Sequence, residues 1–379
     1  MDVFNTIVSS TGSVAGAVLA FVLVLSIVVF VHEMGHFLVA RAFKVKIETF
    51  SIGFGPEIYG WNDSQGTRWK ISWIPLGGYV KFLGDEGPAS IPSHEKIAEA
   101  EAKGEQEKLF HFKPLYQRTL VVLAGPFANF LLAIAIFAVV IGIFGEPKVE
   151  PRIGAVLPGE AGEAAGFQKD DLVLTVDGRP VDDFNDIVTV VAQSPDRPLR
   201  FGIERAGERK TLVATPRREE LTLNFGLKAE GGRLGLQSAG GTYFVYHDPI
   251  GAVWAGANRV WFVFDQTFSF LGQLIVGQAD TSQMRGPLGI AEVSGQVASA
   301  GILPLVQLVA VLSASIGLIN LFPIPMLDGG HLLYYAFEAV RGKPLGERAQ
   351  ELGFRIGLAL VLFLMVFATW NDLARMGNF

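Results

Sequence analysis

The stretch SIVVFVHEMGHFLVARAFKV, residues 26–45, is an apolar run that holds His32, Glu33 and His36 within five positions. Ionisable side chains are costly on a helix that is otherwise lipid-facing or deeply buried. Residues 13–31 carry no charge, so the run is long enough to cross a bilayer, which takes about 20 mainly apolar residues. No Lys or Arg precedes it, which argues against a cleaved leader.

The chain has 379 residues, half of them hydrophobic and 18% charged. That is below the roughly 25% charge of an ordinary soluble domain. The apolar excess falls in blocks at about 15–40, 119–144, 302–322 and 354–370, predicting four membrane-spanning helices. A net charge of −6 gives no basic field of the kind that attracts nucleic acid. There are no cysteines, so disulfides and thiolate zinc sites are excluded and any metal must be held by His, Asp or Glu.

Orientation follows from the basic residues. Arg41, Lys44 and Lys46 follow the first block, Lys113 and Arg118 precede the second, and Arg341, Lys343 and Arg348 lie between the third and fourth. These short connections are expected to face the cytoplasm, with both termini and the segment 146–301 outside. Within that segment, alternating stretches at 172–176, 199–204 and 211–215 and a helical stretch at 183–192 predict a small β-rich domain. Residues 250–277 are rich in Trp and Phe but include Asn258, Arg259, Asp265 and Gln266. They predict an amphipathic helix lying on membrane lipid or against the spans, with a fifth span as the alternative. Residues 93–108, SHEKIAEAEAKGEQEK, are expected to be a solvated, mobile loop.

His-Glu-x-x-His places two imidazoles one helical turn apart, where they can share a tetrahedral Zn²⁺ with the Glu beside a metal-bound water. Two buried histidines satisfied by neighbours would not account for the accompanying carboxylate. A catalytic zinc commonly takes a third protein ligand. Asp328, in SIGLINLFPIPMLDGGH, is the candidate, because the expected topology puts it at the same depth as His32 and His36. Pro323 and Pro325 break the third helix there, and Gly329 and Gly330 permit unusual backbone angles. The plainer reading of Asp328 is a turn residue capping a helix.

At this point the sequence resembles the site-2 protease family of intramembrane zinc metalloproteases, in its bacterial regulator-of-sigma-E protease type. HEMGH (32–36), IPLGGYVKF (74–82), GPFANF (125–130), GPLGI (286–290) and NLFPIPMLDGG (320–330) carry the resemblance, in order along nearly the whole chain. It implies that His32, His36 and Asp328 bind Zn²⁺ and that Glu33 is the general base. Asn320 is implied to bond the substrate or the developing oxyanion. The segment 47–82 resembles the family's membrane-associated β-hairpin region, with Gly77, Gly78, Tyr79 and Val80 pairing an unwound substrate. Asn129 is expected either to contact substrate or to pack helices. Through GAVLPGEAGEAAGFQKDDLVLTVDG (154–178), the outer segment resembles a single PDZ domain, with Asp170 where Gly is usual, whereas some relatives carry two in tandem.

The expected architecture is therefore a polytopic α-helical membrane protein of four spans, with a β-hairpin region and one periplasmic PDZ-like α+β domain. Its parts are the first span with HExxH (1–44), the β region and loop (45–114), and the second span (115–145). The PDZ-like domain (146–222) and a post-PDZ region (223–300) come next, then the third span with the LDG motif (301–331) and the fourth (332–379). The resemblance implies an endopeptidase of the bacterial inner membrane that cuts pre-trimmed single-span proteins. Anti-sigma factors, other regulators and remnant signal peptides are the implied substrates, after a site-1 protease has acted. The competing reading is a non-catalytic PDZ scaffold with a structural zinc. The intact Glu33 opposes it, because a structural site needs no base. A transporter would often show inverted repeats, and none is visible.

Overall fold

The computed structural model describes residues 14–87, 93–222, 228–275 and 285–377. In chain order, helix α1 (Val14–Ala42) leads into strands β1 (Ile47–Asn62) and β2 (Arg68–Phe82), helix α2 (His94–Ala102) and helix α3 (Leu115–Phe144). The short elements β3 (Glu146–Val149), β4 (Ile153–Val156), α4 (Ala161–Ala164), β5 (Leu172–Val176) and β6 (Arg179–Pro180) follow. Next come α5 (Phe184–Ala192), β7 (Leu199–Arg205), β8 (Glu208–Ala214), β9 (Arg217–Thr222), β10 (Lys228–Arg233), β11 (Leu236–Ser238) and β12 (Thr242–Val245). The chain closes with helices α6 (Pro249–Ile275), α7 (Pro287–Ser299), α8 (Ile302–Asn320), α9 (Asp328–Arg341) and α10 (Glu347–Gly377). Two compact units result, one of Met1–Phe137, Ala255–Thr267 and Met284–Phe379, the other of Ala138–Trp254 and Phe268–Gln283.

Among the described residues, four helices are long and apolar enough to cross a membrane: α1, α3, α8 and α10. They match the four expected blocks, although α10 is longer than the 354–370 core. Helix α6, with Arg259 and Asp265 in it, is not among the four. Its Trp254 and Trp261 are exposed. Small residues let α1 pack closely: Ala20, Val24 and Val28 are buried with Ala298, Leu305 and Val309 of α7 and α8. Asp372 of α10 accepts the N–H groups of Gly286 and Gly289, at 3.1 and 2.8 Å, at the start of α7. This explains the GPLGI stretch as a helix start that needs a carboxylate partner.

Residues 93–108 correct the expectation of a mobile loop. They form α2 and a short 3-10 turn at Gln106–Lys108. Glu, Lys and Ala suit a solvated helix as well as a loop. Glu99 and Lys103 sit one turn apart, and Lys96 donates to the Asp85 carbonyl at 2.9 Å.

Strands β1 and β2 are not a simple hairpin. Residues 57–62 pair with 68–72, residues 68–71 also pair with 49–52, and 47–52 pair in turn with 78–82. The two strands therefore curl into four segments, with bends at Gly53, Gly55 and Gly77, whose φ values are 89°, 89° and 108°. Two segments, 57–62 and 78–82, remain at the sheet's edges. Phe50 is fully buried, stacked on Trp69 at 4.4 Å and meeting Phe30 and Phe37 of α1 edge-on. The turn is tied down by Asp63, which accepts from Arg41, the Trp69 indole (3.2 Å) and the N–H groups of Gln65 (2.9 Å) and Thr67 (3.0 Å).

Those donors outweigh the cost of desolvating Asp63 and hold its carboxyl well below the usual range, at about 2. A depressed carboxyl contributes stability above its unfolded value, lost as the pH falls through that value toward 2. Asp63→Ala is expected to cost roughly 1–2 kcal/mol at pH 7 and to narrow that gap at acid pH. Thermal unfolding of the purified variant in detergent at several pH values checks this.

The second unit is built on the antiparallel sheet β6-β5-β7-β8. Its core is Ile153, Phe167, Val173, Val176, Leu199, Phe201, Ile203 and Leu234. Helix α5 closes the core with Ile187 and Val191, and starts in a capping box formed by Asp183 and Asp186. The expected domain end at 222 is corrected by strand pairing. Strand β11 pairs with β4, and β12 pairs with β3, so the domain continues to Val245. Asp170 has a left-handed φ of 72°. That conformation explains why the resemblance leads one to expect Gly there, and Asp tolerates it better than most residues. Its neighbour Asp171 is buried and gripped by Arg205 at 2.6 and 2.8 Å.

Candidate metal centre

The site begins with the spacing on α1. His32 and His36, both buried, stand one turn apart with their Nε2 atoms 3.2 Å from each other. Asp328 completes the group, with Oδ2 3.2 Å from His32 Nε2 and Oδ1 3.5 Å from His36 Nε2. One ligand atom from each residue lies within 4.8 Å of the others, and the three together could hold a metal ion. Oδ2 of Asp328 is buried and receives no hydrogen bond among the described residues. An orphaned carboxylate oxygen facing two imidazoles is the donor set zinc takes.

Helix α3 forms the wall behind the two rings, through positions spaced by four. The Val121 carbonyl accepts from His36 Nδ1 at 2.8 Å, which leaves Nε2 as the lone-pair atom. Gly125 is opposite the imidazoles. A Cβ there would come within 2.3 Å of His36 Nε2 and 2.9 Å of His32 Cε1. Asn129, fully buried, brings its amide to 3.3 Å from His32 Nδ1. Gly35, inside the HEMGH motif, permits the close approach of the two helices, because its Cβ would lie 2.2 Å from the Ala124 carbonyl oxygen.

Asp328 is the first residue of α9, not a capping residue, since Leu327 holds the cap position. Gly329 and Gly330 would permit unusual backbone angles, but neither has a positive φ. Their value is space. A Cβ on Gly329 would meet the Phe322 carbonyl at 2.2 Å, and one on Gly330 the Ile324 carbonyl at 2.5 Å. The positive φ in this turn belongs to Met326, at 88°. Helix α9 is clamped to α3 by Arg118, which donates to Glu338 from both terminal guanidinium nitrogens at 3.1 and 2.5 Å. Helix α10 supports the turn from the other side. Gly357 lies against Pro325, whose carbonyl oxygen would be 2.0 Å from a Cβ, and Gly353 against the Tyr334 hydroxyl.

A cavity of about 450 Å³ opens onto these groups. Glu33, His32, His36, Asp328 and Asn320 line it, together with Gly77, Gly78, Tyr79 and Val80. Asn320, the last residue of α8, has its amide 3.5 Å from His32 Nε2. Gly78 lets the sheet edge approach α1, since its Cβ would be 3.2 Å from Glu33 Cγ. Asn129 is not among the lining residues: it is enclosed between His32 and α8, where Ser313 donates to its carbonyl at 2.9 Å. Sequence reasoning missed Gly125 and the Val121 carbonyl. The quoted stretch GPFANF contains the first, but an absent side chain and a backbone atom leave no chemical signal of their own.

Buried histidines, an orphaned carboxylate and a glutamate on one cavity among apolar helices define a membrane metallohydrolase. The sequence profile of peptidase family M50 matches residues 20–364, and the chain belongs to that family, the site-2 proteases. It is 46% identical to a protein of Agrobacterium fabrum named zinc metalloprotease Atu1380, over 98% of this chain and 99% of the relative. A Rhizobium meliloti protein named zinc metalloprotease R01501 is also 46% identical, over 93% of this chain and 95% of its own. Metalloprotease MmpA of Caulobacter vibrioides is 42% identical, over 93% and 94%. The protein is an integral membrane zinc metalloendopeptidase.

Proposed function

We propose that this enzyme cleaves peptide bonds inside the membrane-spanning segments of single-span proteins, with His32, His36 and Asp328 as zinc ligands and Glu33 as general base. One observation carries the reading: the three ligand atoms, Glu33 and a sheet edge meet on a single cavity among apolar helices. Zinc at such a site supplies Lewis acidity and lowers the pKa of a water. Glu33 takes the proton from the attacking water and returns it to the leaving amine. The Asn320 amide can donate to the oxygen that gains charge as the carbonyl is attacked. The edge 78–82 flanks the cavity, and a chain laid along it as an added strand would be extended, which holds its scissile bond open where a helix would close it.

By the positive-inside reading, the centre lies toward the cytoplasmic side of the bacterial inner membrane and the PDZ-like β3–β12 domain lies outside. Substrates of this geometry are single-span regulators such as anti-sigma factors, and remnant signal peptides. An upstream site-1 protease trims them first, in regulated intramembrane proteolysis. The outer domain excludes chains with bulky external parts.

The test is cleavage in liposomes of one single-span substrate in two forms, trimmed and with a folded outer domain. Cleavage within the span of the trimmed form alone is expected, abolished by phenanthroline and restored by Zn²⁺. Chelator-resistant cleavage, or cleavage outside the span, would overturn the reading.

A further inference from the structure

The wall of α3 holds a buried amide that does not line the cavity. Asn129 is fully buried, yet its amide faces the outer ring nitrogen of His32 at 3.3 Å. Taking His32, His36 and Asp328 as the ligands, we infer that Asn129 is a positioning residue for the metal, not a substrate contact: its Oδ1 accepts the Nδ1–H of His32 and fixes that ring's tautomer.

The argument starts from proton counting. A neutral imidazole carries one N–H, and the other nitrogen keeps the lone pair. His32 can bind a metal through Nε2 only if Nδ1 holds the proton. With Nδ2 of Asn129 toward the ring, two N–H groups would then point at each other. Exchanging the two ends of the amide, which are nearly isosteric, places Oδ1 at the same position and makes the bond. In the first orientation Oδ1 is buried and receives no hydrogen bond among the described residues. Turning the amide satisfies that oxygen with the ring N–H.

The neighbours hold Asn129 in place for this role. Ser313 donates to its backbone carbonyl at 2.9 Å. Gly317 packs so close that a Cβ there would lie 3.1 Å from Asn129 Cβ. The arrangement parallels that at His36, whose Nδ1 donates to the Val121 carbonyl at 2.8 Å. Both candidate histidine ligands thus have their outer nitrogens held by α3, one by a carbonyl and one by an amide, two turns apart along the same face. Such partners set ring orientation and raise ligand basicity, and their loss commonly costs about 10–100-fold in metal affinity.

The experiment uses the full chain in detergent, with zinc affinity read by chelator competition. Asn129→Leu keeps the volume but removes the acceptor, and is expected to weaken zinc binding about 10–100-fold. Asn129→Asp keeps an oxygen at the same place and is expected to bind within about threefold of the wild type, since the acceptor is retained. Equal affinity of Asn129→Leu and wild type, or equal weakening by both variants, would overturn the inference in favour of simple helix packing. The zinc-loaded wild type, labelled with ¹⁵N-histidine, provides a measurement that needs no variant. Its His32 signal, assigned by loss in His32→Ala, should be that of an Nδ1–H ring, and an Nε2–H ring would overturn the inference. Should the wild type bind no zinc, or His32→Ala bind it normally, the ligand assignment itself fails, which is a separate result.

Discussion

Glu33→Gln is expected to lower the cleavage rate by at least about 10²-fold while zinc content stays at the wild-type level. The amide occupies the same space and can still bond water, but it cannot take up a proton. Glu33 lines the cavity and is not one of the three grouped metal donors, so the metal has no reason to leave. Single-turnover cleavage of a reconstituted substrate, alongside zinc analysis of the same preparation, separates the two effects. Substantial cleavage by the variant would remove Glu33 from its role. Zinc loss together with activity would show instead that Glu33 helps hold the metal.

The second large effect is expected from the smallest change. Gly125→Ala adds one methyl group, and its carbon would lie 2.3 Å from His36 Nε2 and 2.5 Å from His36 Cε1. A ring whose Nδ1 is held by the Val121 carbonyl, on the same helix as Gly125, has little freedom to retreat. Either that hydrogen bond breaks or α1 moves off α3, against the contact of Gly35 with Ala124. Both outcomes take an imidazole out of ligand position. Zinc affinity is therefore expected to fall by about 10²-fold or more, with proteolysis following it, because the ligand itself is displaced. Chelator competition reads the loss directly. Wild-type zinc affinity in Gly125→Ala would mean that the rings stand elsewhere when the metal is bound.

The motif on α1 and the carboxylate at 328 were legible in the sequence because their chemistry is unusual for an apolar context. The four long helices were legible for the same reason, as uninterrupted runs. What the sequence left hidden depends on pairing at a distance or on space. The curling of β1 and β2 arises from residues 49–52 bonding on both sides, which no local pattern encodes. The extension of the β-rich second unit to Val245 rests on β11 and β12 returning to β4 and β3, across the expected boundary at 222. The start of α9 at Asp328 was obscured by Gly329 and Gly330, which signal a loop although here they serve close packing. The sequence leaves Asn129 open between a substrate contact and a packing residue, because nothing in it says which way a buried amide faces.

The contact of Gly357 with Pro325 has a consequence for how changes in this chain should be judged. By composition α10 is a tolerant segment, whose lipid-exposed positions accept almost any apolar side chain. Position 357 is barred even to alanine, since an added carbon would fall 2.0 Å from the Pro325 carbonyl oxygen, three residues before Asp328. A substitution there would leave hydropathy and helix propensity unchanged or improved. It would nonetheless press on the turn that presents the carboxylate. Hydropathy-based scoring of natural variation would pass such a change as silent, and the defect would be recorded as a loss of metal with no altered residue near it in sequence.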